Sequence, residues 1–287
     1  MTGLKFFPIL YVLTAMILSF CACSSKKEKK DYKDSESFAF SNPKILELPE
    51  VLDEISGIAY YEKDTSIFAV IDEDGVLFKV PLSNPKKVKE WHYDKARDYE
   101  DLILKDSIFY VLVSNGELEK LKFEGDKISV EKVDYPNSSK KVNEFETLYF
   151  DSASGKIVTM CKDCEDDKKA RISSFFLNDS LQSFSPFSCI ESSTIFLKAG
   201  IAKEHIKPSA AAVQPITKEL YVLCSVNKLM LVFGPAGNIL EVIKLNPSIY
   251  KQPEGMCFTP EGNLIISNEF NQKGFANLLL LKNKKKP

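Results

Sequence analysis

Arginine and histidine are nearly absent from this 287-residue chain, and each scarcity removes a class of function. Only Arg97 and Arg171 among 38 cationic residues are arginine, and the net charge is −2. Phosphate backbones are held by a surplus of positive charge and by guanidinium forks, so nucleic acid is excluded as a partner. Two histidines, His92 and His205, lie far apart, which leaves little for a zinc site or a histidine-based triad. Neither a Gly-x-Ser-x-Gly elbow nor a phosphate-cradling glycine loop is present. Long helical periods are missing as well. What remains is 44% hydrophobic and 27% charged, the balance of a globular protein with ample core material.

The one long apolar run is at the start. Lys5, the stretch Phe6–Phe20 and then Cys21-Ala22-Cys23-Ser24-Ser25 have the layout of an export signal. A run of about 15 residues is short for a membrane span, which takes about 20. Cys-Ala-Cys-Ser-Ser resembles the lipobox of bacterial lipoproteins. Cys23 fits the lipidated position better than Cys21, because small Ala22 precedes it where bulky Phe20 precedes Cys21. The expectation is a signal peptide at 1–22 and a chain anchored by lipid on Cys23 to a membrane of the bacterial cell envelope, facing the periplasm or the cell surface. Residues 23–38 are polar and charged and read as a disordered tether, with the folded domain at 39–287.

That domain repeats itself. Ile55-Ser56-Gly57-Ile58, Tyr99-Glu100-Asp101-Leu102, Phe145-Glu146-Thr147-Leu148, Pro208-Ser209-Ala210-Ala211 and Pro253-Glu254-Gly255-Met256 each set a polar residue before a small or polar one and an apolar run. From polar residue to polar residue the steps are 44, 46, 63 and 45. Each step is filled with short apolar runs broken by turn residues, as in the blades of a β-propeller. The fold class is therefore all-β: five four-stranded blades, with six as the alternative if the long step hides another. The fifth blade lacks a fourth strand, and the spare run Lys44–Pro49 can complete it, leaving no unpaired edge. The extra material near Ile195–His205 reads as an insertion containing a short helix.

The first strand of a propeller blade lines the central channel, so Glu100, Glu146 and Glu254 form a ring with Ser56 and Ser209 between them. Two unit charges 4 Å apart repel by roughly 4 kcal/mol at an effective dielectric of 20. The ring invites a hard oxygen-liganded cation, Ca²⁺ before Mg²⁺; the alternative is that each Glu caps backbone N–H groups of a neighbouring blade. Glu269, at the end of a second strand, reaches toward the same channel, and Arg97 is placed to neutralise the acids. Asp72-Glu73-Asp74-Gly75 lacks the spacing of an EF-hand and reads as a hairpin. Cys161-Lys162-Asp163-Cys164 reads as a local disulfide in a surface loop, and Cys189, Cys224 and Cys257 as buried thiols.

The motifs Glu54-Ile-Ser56-Gly57, Asp98-Tyr-Glu100-Asp101, Asn143-Glu-Phe-Glu146, Lys207-Pro-Ser209-Ala210 and Gln252-Pro-Glu254-Gly255 together resemble the SdiA-regulated family of bacterial envelope proteins, across about residues 40–282. The resemblance implies a five-bladed propeller distantly similar to NHL-repeat propellers, with calcium at Glu100, Glu146 and Glu254. It lends no activity. The expected function is a binding or scaffold module for an unidentified protein or small-molecule ligand. The alternatives are a metal-dependent hydrolase of lactones or phosphoesters, with Glu269 accepting a proton, and a propeller in which the ion serves stability alone.

Overall fold

A computed structural model describes residues 32–133, 143–180, 183–270 and 274–285. The signal at 1–22, the lipid position Cys23 and most of the tether lie outside the described residues. No helix among those described is long and apolar enough to cross a membrane.

The described strands form five antiparallel sheets of four strands each. Blade one runs Ile55–Tyr61, Ser66–Ile71, Val76–Pro81 and Lys89–His92 from the inside outward; blade two runs Tyr99–Lys105, Ile108–Val113, Leu118–Glu124 and Lys127–Val133. Blade three is Glu144–Asp151, Lys156–Asp163, Arg171–Asn178 and Ser183–Glu191; blade four is Ala210–Val213, Leu220–Cys224, Leu229–Phe233 and Ile239–Lys244. Blade five takes Pro253–Phe258, Leu264–Asn268 and Asn277–Leu281 from the end of the chain. Its outer strand is Lys44–Glu47, paired antiparallel with Lys44 opposite Leu280 and Glu47 opposite Asn277. The inner strands of successive blades are neighbours, and the fifth meets the first, so the ring closes at five.

Each sheet is covered on both faces by its neighbours, which is why its strands read as short continuous apolar runs. In blade four, Leu229 to Phe233 are all buried. Buried side chains gather into five clusters, one at each blade-to-blade interface. The long step holds the helix Ser192–Ala199, which buries Ile195 at the interface of blades three and four and stops at Gly200, where φ is 60°. That helix, rather than a sixth blade, fills the extra length.

One boundary and one thiol differ from expectation. The tether ends before residue 38: Phe38 is fully buried between blades four and five, edge-on to Tyr221. Lys284 N–H donates to Ser37 O at 2.9 Å, and Tyr250 Oη donates to Phe40 O at 2.9 Å. An aromatic pair at the end of a charged stretch is enough to dock it. Cys224 and Cys257 are buried, but Cys189 is exposed, because it lies on the outer strand of blade three with no sheet beyond it.

Around the axis the inner strands press together. A Cβ on Gly57 would stand 2.4 Å from Leu102 N of blade two, and one on Gly255 would stand 2.2 Å from Ser56 O of blade one. Only glycine permits that approach. Blade two has Asp101 at this position and uses it as a strut. Its Oδ1 accepts from Leu102 N at 2.8 Å and its Oδ2 from Leu148 N of blade three at 2.6 Å.

Candidate cation site in the propeller channel

The repeated polar residue is a β-bulge. Pairing between the first and second strands shifts register between Ile55 and Ile58, Tyr99 and Asp101, Phe145 and Thr147, and Pro253 and Gly255. The extra residues include Ser56, Glu100, Glu146 and Glu254, left without a ladder partner. A bulge releases one residue from the pleat and re-aims its side chain. In blade four Ser209 N donates to Leu223 O at 2.8 Å, and Ser209 Oγ accepts from Ser225 N at 3.2 Å.

These residues line one cavity of about 980 Å³ at the end of the channel where the inner strands begin. Ser56, Glu100, Glu146, Ser209, Glu254 and Glu269 all contribute to its wall. A second ring comes from the ends of the second strands: Asp72, Ser114, Lys162, Ser225 and Glu269, at steps of 42, 48, 63 and 44. Backbone bonds fix this ring against the first, with Asp72 N donating to Glu54 O at 3.1 Å, Ser114 N to Asp98 O at 2.9 Å and Glu269 N to Gln252 O at 2.9 Å. The opposite end of the channel is a smaller mouth of about 450 Å³ lined by apolar groups such as Ile58, Leu102, Tyr149 and Phe258.

Within the polar cavity the acids are unevenly grouped. Carboxylate oxygens of Asp72, Asp98 and Glu100 lie within 4.8 Å of one another. Burial pushes the Glu100 carboxyl up to about 9, and the neighbouring charges of Asp98, Asp72 and Glu254 add to the rise against the pull of Lys162. Burial raises Asp72 too, reinforced by its hydrogen bond with Asp98. Ser114 Oγ donates to Asp98 Oδ2.

Glu146 and Glu254 are outside that trio. Glu146 is ion-paired with Lys162. Glu254 Oε1 accepts from Ser225 Oγ at 3.2 Å, and burial lifts its carboxyl to about 7 despite that bond. Glu269 Oε2 accepts from Gln252 Nε2; burial and a hydrogen bond with Glu54 raise its carboxyl well above the usual range. The three glutamates expected to ligate together thus share a cavity, while the tight group joins Glu100 to two aspartates.

Arg97 does not neutralise the ring. Its Nη2 donates to Glu117 Oε2 at 2.7 Å and its Nη1 to Glu119 Oε1 at 3.0 Å. Glu119 is fully buried and needs that counter-charge, with Lys132 Nζ adding a second at 3.1 Å. The cation that enters the ring is Lys162, between Cys161 and Cys164. Those two sulfurs form a disulfide, and both cysteines are buried among Phe145, Leu148 and their neighbours rather than in a surface loop. Asp163, beside Lys162, lies 3.2 Å from Lys207 Nζ and 3.7 Å from His205 Nδ1.

The residues that spacing alone did not single out are Asp72, Asp98 and Lys162. The signal for Asp72 and Lys162 was present, a polar residue that recurs at the end of each second strand in step with the first ring; Asp98, two residues before Glu100, lies outside that recurrence.

Solved structures with a similar fold cover nearly the whole domain. A luciferin-regenerating enzyme matches at TM-score 0.54 and 13% identity, over 85% of this chain and 97% of that one. A glutaminyl cyclase from Myxococcus xanthus matches at TM-score 0.54 and 13% identity, over 84% and 96%. The PQQ-bound aldose sugar dehydrogenase from Streptomyces coelicolor matches at TM-score 0.52 and 7% identity, over 85% and 99%. No family model and no curated protein matches the sequence. At such identities the likeness is one of fold: the chain is a five-bladed β-propeller with propeller neighbours.

Proposed function

We propose that this chain is a lipid-anchored envelope propeller of the SdiA-regulated kind, which binds Ca²⁺ in its channel and presents that channel as a binding module. The observation that carries the reading is the convergence of Asp72, Asp98 and Glu100. Oxygens bound to one Ca²⁺ at 2.3–2.6 Å stand at most about 5.2 Å apart, so three oxygens within 4.8 Å fit the ion. The donor set is all oxygen, as a hard cation requires. Burial is the main cause of the upward push on Glu100 and Asp72, and repulsion among the acids adds to it; a cation would relieve both. Asp72, Asp98 and Glu100 would hold the ion. Ser114 Oγ orients Asp98, and Ser225 Oγ orients Glu254 on the wall nearby. Calcium, when bound, would supply a double positive charge beside the rest of the cavity. The membrane attachment rests on the Cys-Ala-Cys-Ser-Ser sequence and the apolar run before it.

Calorimetric titration of chelator-treated protein with calcium tests this. One equivalent should bind, and Asp98→Asn or Glu100→Gln should abolish binding. Absence of binding heat in the wild type, or unchanged binding in Glu100→Gln, overturns the reading.

One observation favours a second reading, metal-dependent hydrolysis of a lactone or phosphoester. Glu269 borders the cavity with a carboxyl raised to about 8, suited to accepting a proton near neutral pH. Turnover of such esters that is lost on chelation and in Glu269→Gln would establish it; no turnover with calcium bound leaves the binding module.

A further inference from the structure

The carboxylates around the cavity come from every blade but the fourth, which contributes lysines instead. The acidic trio comes from blades one and two. Lys207 and Lys228 belong to blade four, which borders blades three and five and neither of the first two. Lys162 comes from blade three, between them. Blade four therefore lines the cavity with lysines and no carboxylate, away from the trio and flanked by Glu146 of blade three and Glu254 of blade five.

The lysines are not equivalent. Lys162 is paired with Glu146, and Lys207 lies 3.2 Å from Asp163. Lys228 makes no ion pair within 4.0 Å among the described residues. Its Nζ donates to the Lys251 carbonyl at 2.7 Å, and the side chain is half-buried. An ammonium carries three donors and is costly to desolvate without an anion beside it. Burial accordingly holds Lys228 below its ordinary value, against the opposing charge of Glu254.

We propose that the blade-four lysine wall binds an oxyanion, the carboxylate or phosphate group of a small-molecule ligand, opposite the cation held by the acidic trio. This rests on the calcium reading. Seven carboxylates line the cavity (Asp72, Asp98, Glu100, Glu144, Glu146, Glu254 and Glu269) against four lysines (Lys162, Lys207, Lys228 and Lys251). Without a divalent cation the cavity repels an anion; with one the negative excess falls, and Lys228, paired with no carboxylate within 4.0 Å among the described residues, is the donor left to meet an anion. The ligand is thus admitted after the metal. The volume of about 980 Å³ is at the upper end of small-molecule sites, which run from roughly 300 to 1,000 Å³.

The test is a calorimetric titration of the full chain with methyl phosphate and with acetate, each in saturating calcium and in chelator. The two probes separate a phosphate from a carboxylate ligand. At least one should bind saturably in calcium and about tenfold more weakly in chelator. Lys228→Gln should weaken that probe by about tenfold while leaving calcium affinity unchanged or tighter, and Lys228→Arg should restore it. Calcium binding without binding of either probe overturns the inference, as does an unaltered probe affinity in a folded Lys228→Gln protein. Failure of the metal reading is separately visible as the absence of calcium heat before any anion is added, and it removes the inference too.

Discussion

Lys162 Nζ forms an ion pair with the Glu146 carboxylate inside the acidic end of the channel. One ring glutamate is thereby neutralised by a lysine from the same blade, and the field of that lysine reaches Glu100 and Glu254. The protein carries its own partial counter-ion in blade three, whereas the acidic trio of blades one and two has no lysine or arginine within 4.0 Å among the described residues.

Lys162→Gln should tighten calcium binding by about tenfold, because a like charge is removed from a poorly solvated cavity. Calorimetry on the two proteins measures it. Equal or weaker affinity in the variant would mean that Lys162 does not act on the trio.

Protons and calcium should compete. Glu100 and Glu254 hold protons more tightly in the folded chain than at the ordinary value of 4.5. Their contribution to stability is therefore present at low pH and is lost as pH rises through about 7 and about 9. The melting temperature of calcium-free protein should fall between pH 6 and pH 9, by an amount that calcium suppresses. A flat profile without calcium counts against the buried acidic ring.

Removing the Cys161–Cys164 bond should cost about 2 kcal/mol, the low end for disulfides because the closed loop is short. Since the loop carries Lys162, the double Cys→Ala variant should also shift calcium affinity in the direction of Lys162→Gln, by less. Urea denaturation and calorimetry read the two effects. A stability loss with no change in affinity would separate the loop from the channel.

Arg97→Ala should destabilise the fold by about 1–3 kcal/mol, because the fully buried Glu119 is left with Lys132 as its one counter-charge. Calcium affinity should not change, since Arg97 faces Glu117 and Glu119 rather than the ring. Tighter calcium binding in the variant would return Arg97 to the role its sequence position suggested.

The blade count was legible because the Ser/Glu–small–apolar pattern recurs at a nearly constant step, and the closing strand because Lys44–Glu47 had no other place to pair. That Ser56, Ser209 and the ring glutamates share a cavity was legible too, since equivalent positions in a closed ring face one axis. Which acids touch was not. It depends on where each bulge falls and on the register of the second strand, and a shift of one residue turns a side chain to the other face. Asp72 belongs to a run that reads as a hairpin turn, Asp98 lies two residues before its ring glutamate, and Lys162 is enclosed in a cysteine motif; each reaches the channel only through that register. Arg97 shows the same limit in reverse: adjacent in sequence to Asp98, it is drawn away by Glu119, whose burial the sequence does not disclose.

The most direct measurement is a calcium-soaked crystal of the folded domain, with anomalous scattering to identify the ion. The account predicts one calcium with oxygens of Asp72, Asp98 and Glu100 at about 2.3–2.6 Å. A clear map with no ion there, and those carboxylates bonded instead to lysine or backbone donors, would contradict it.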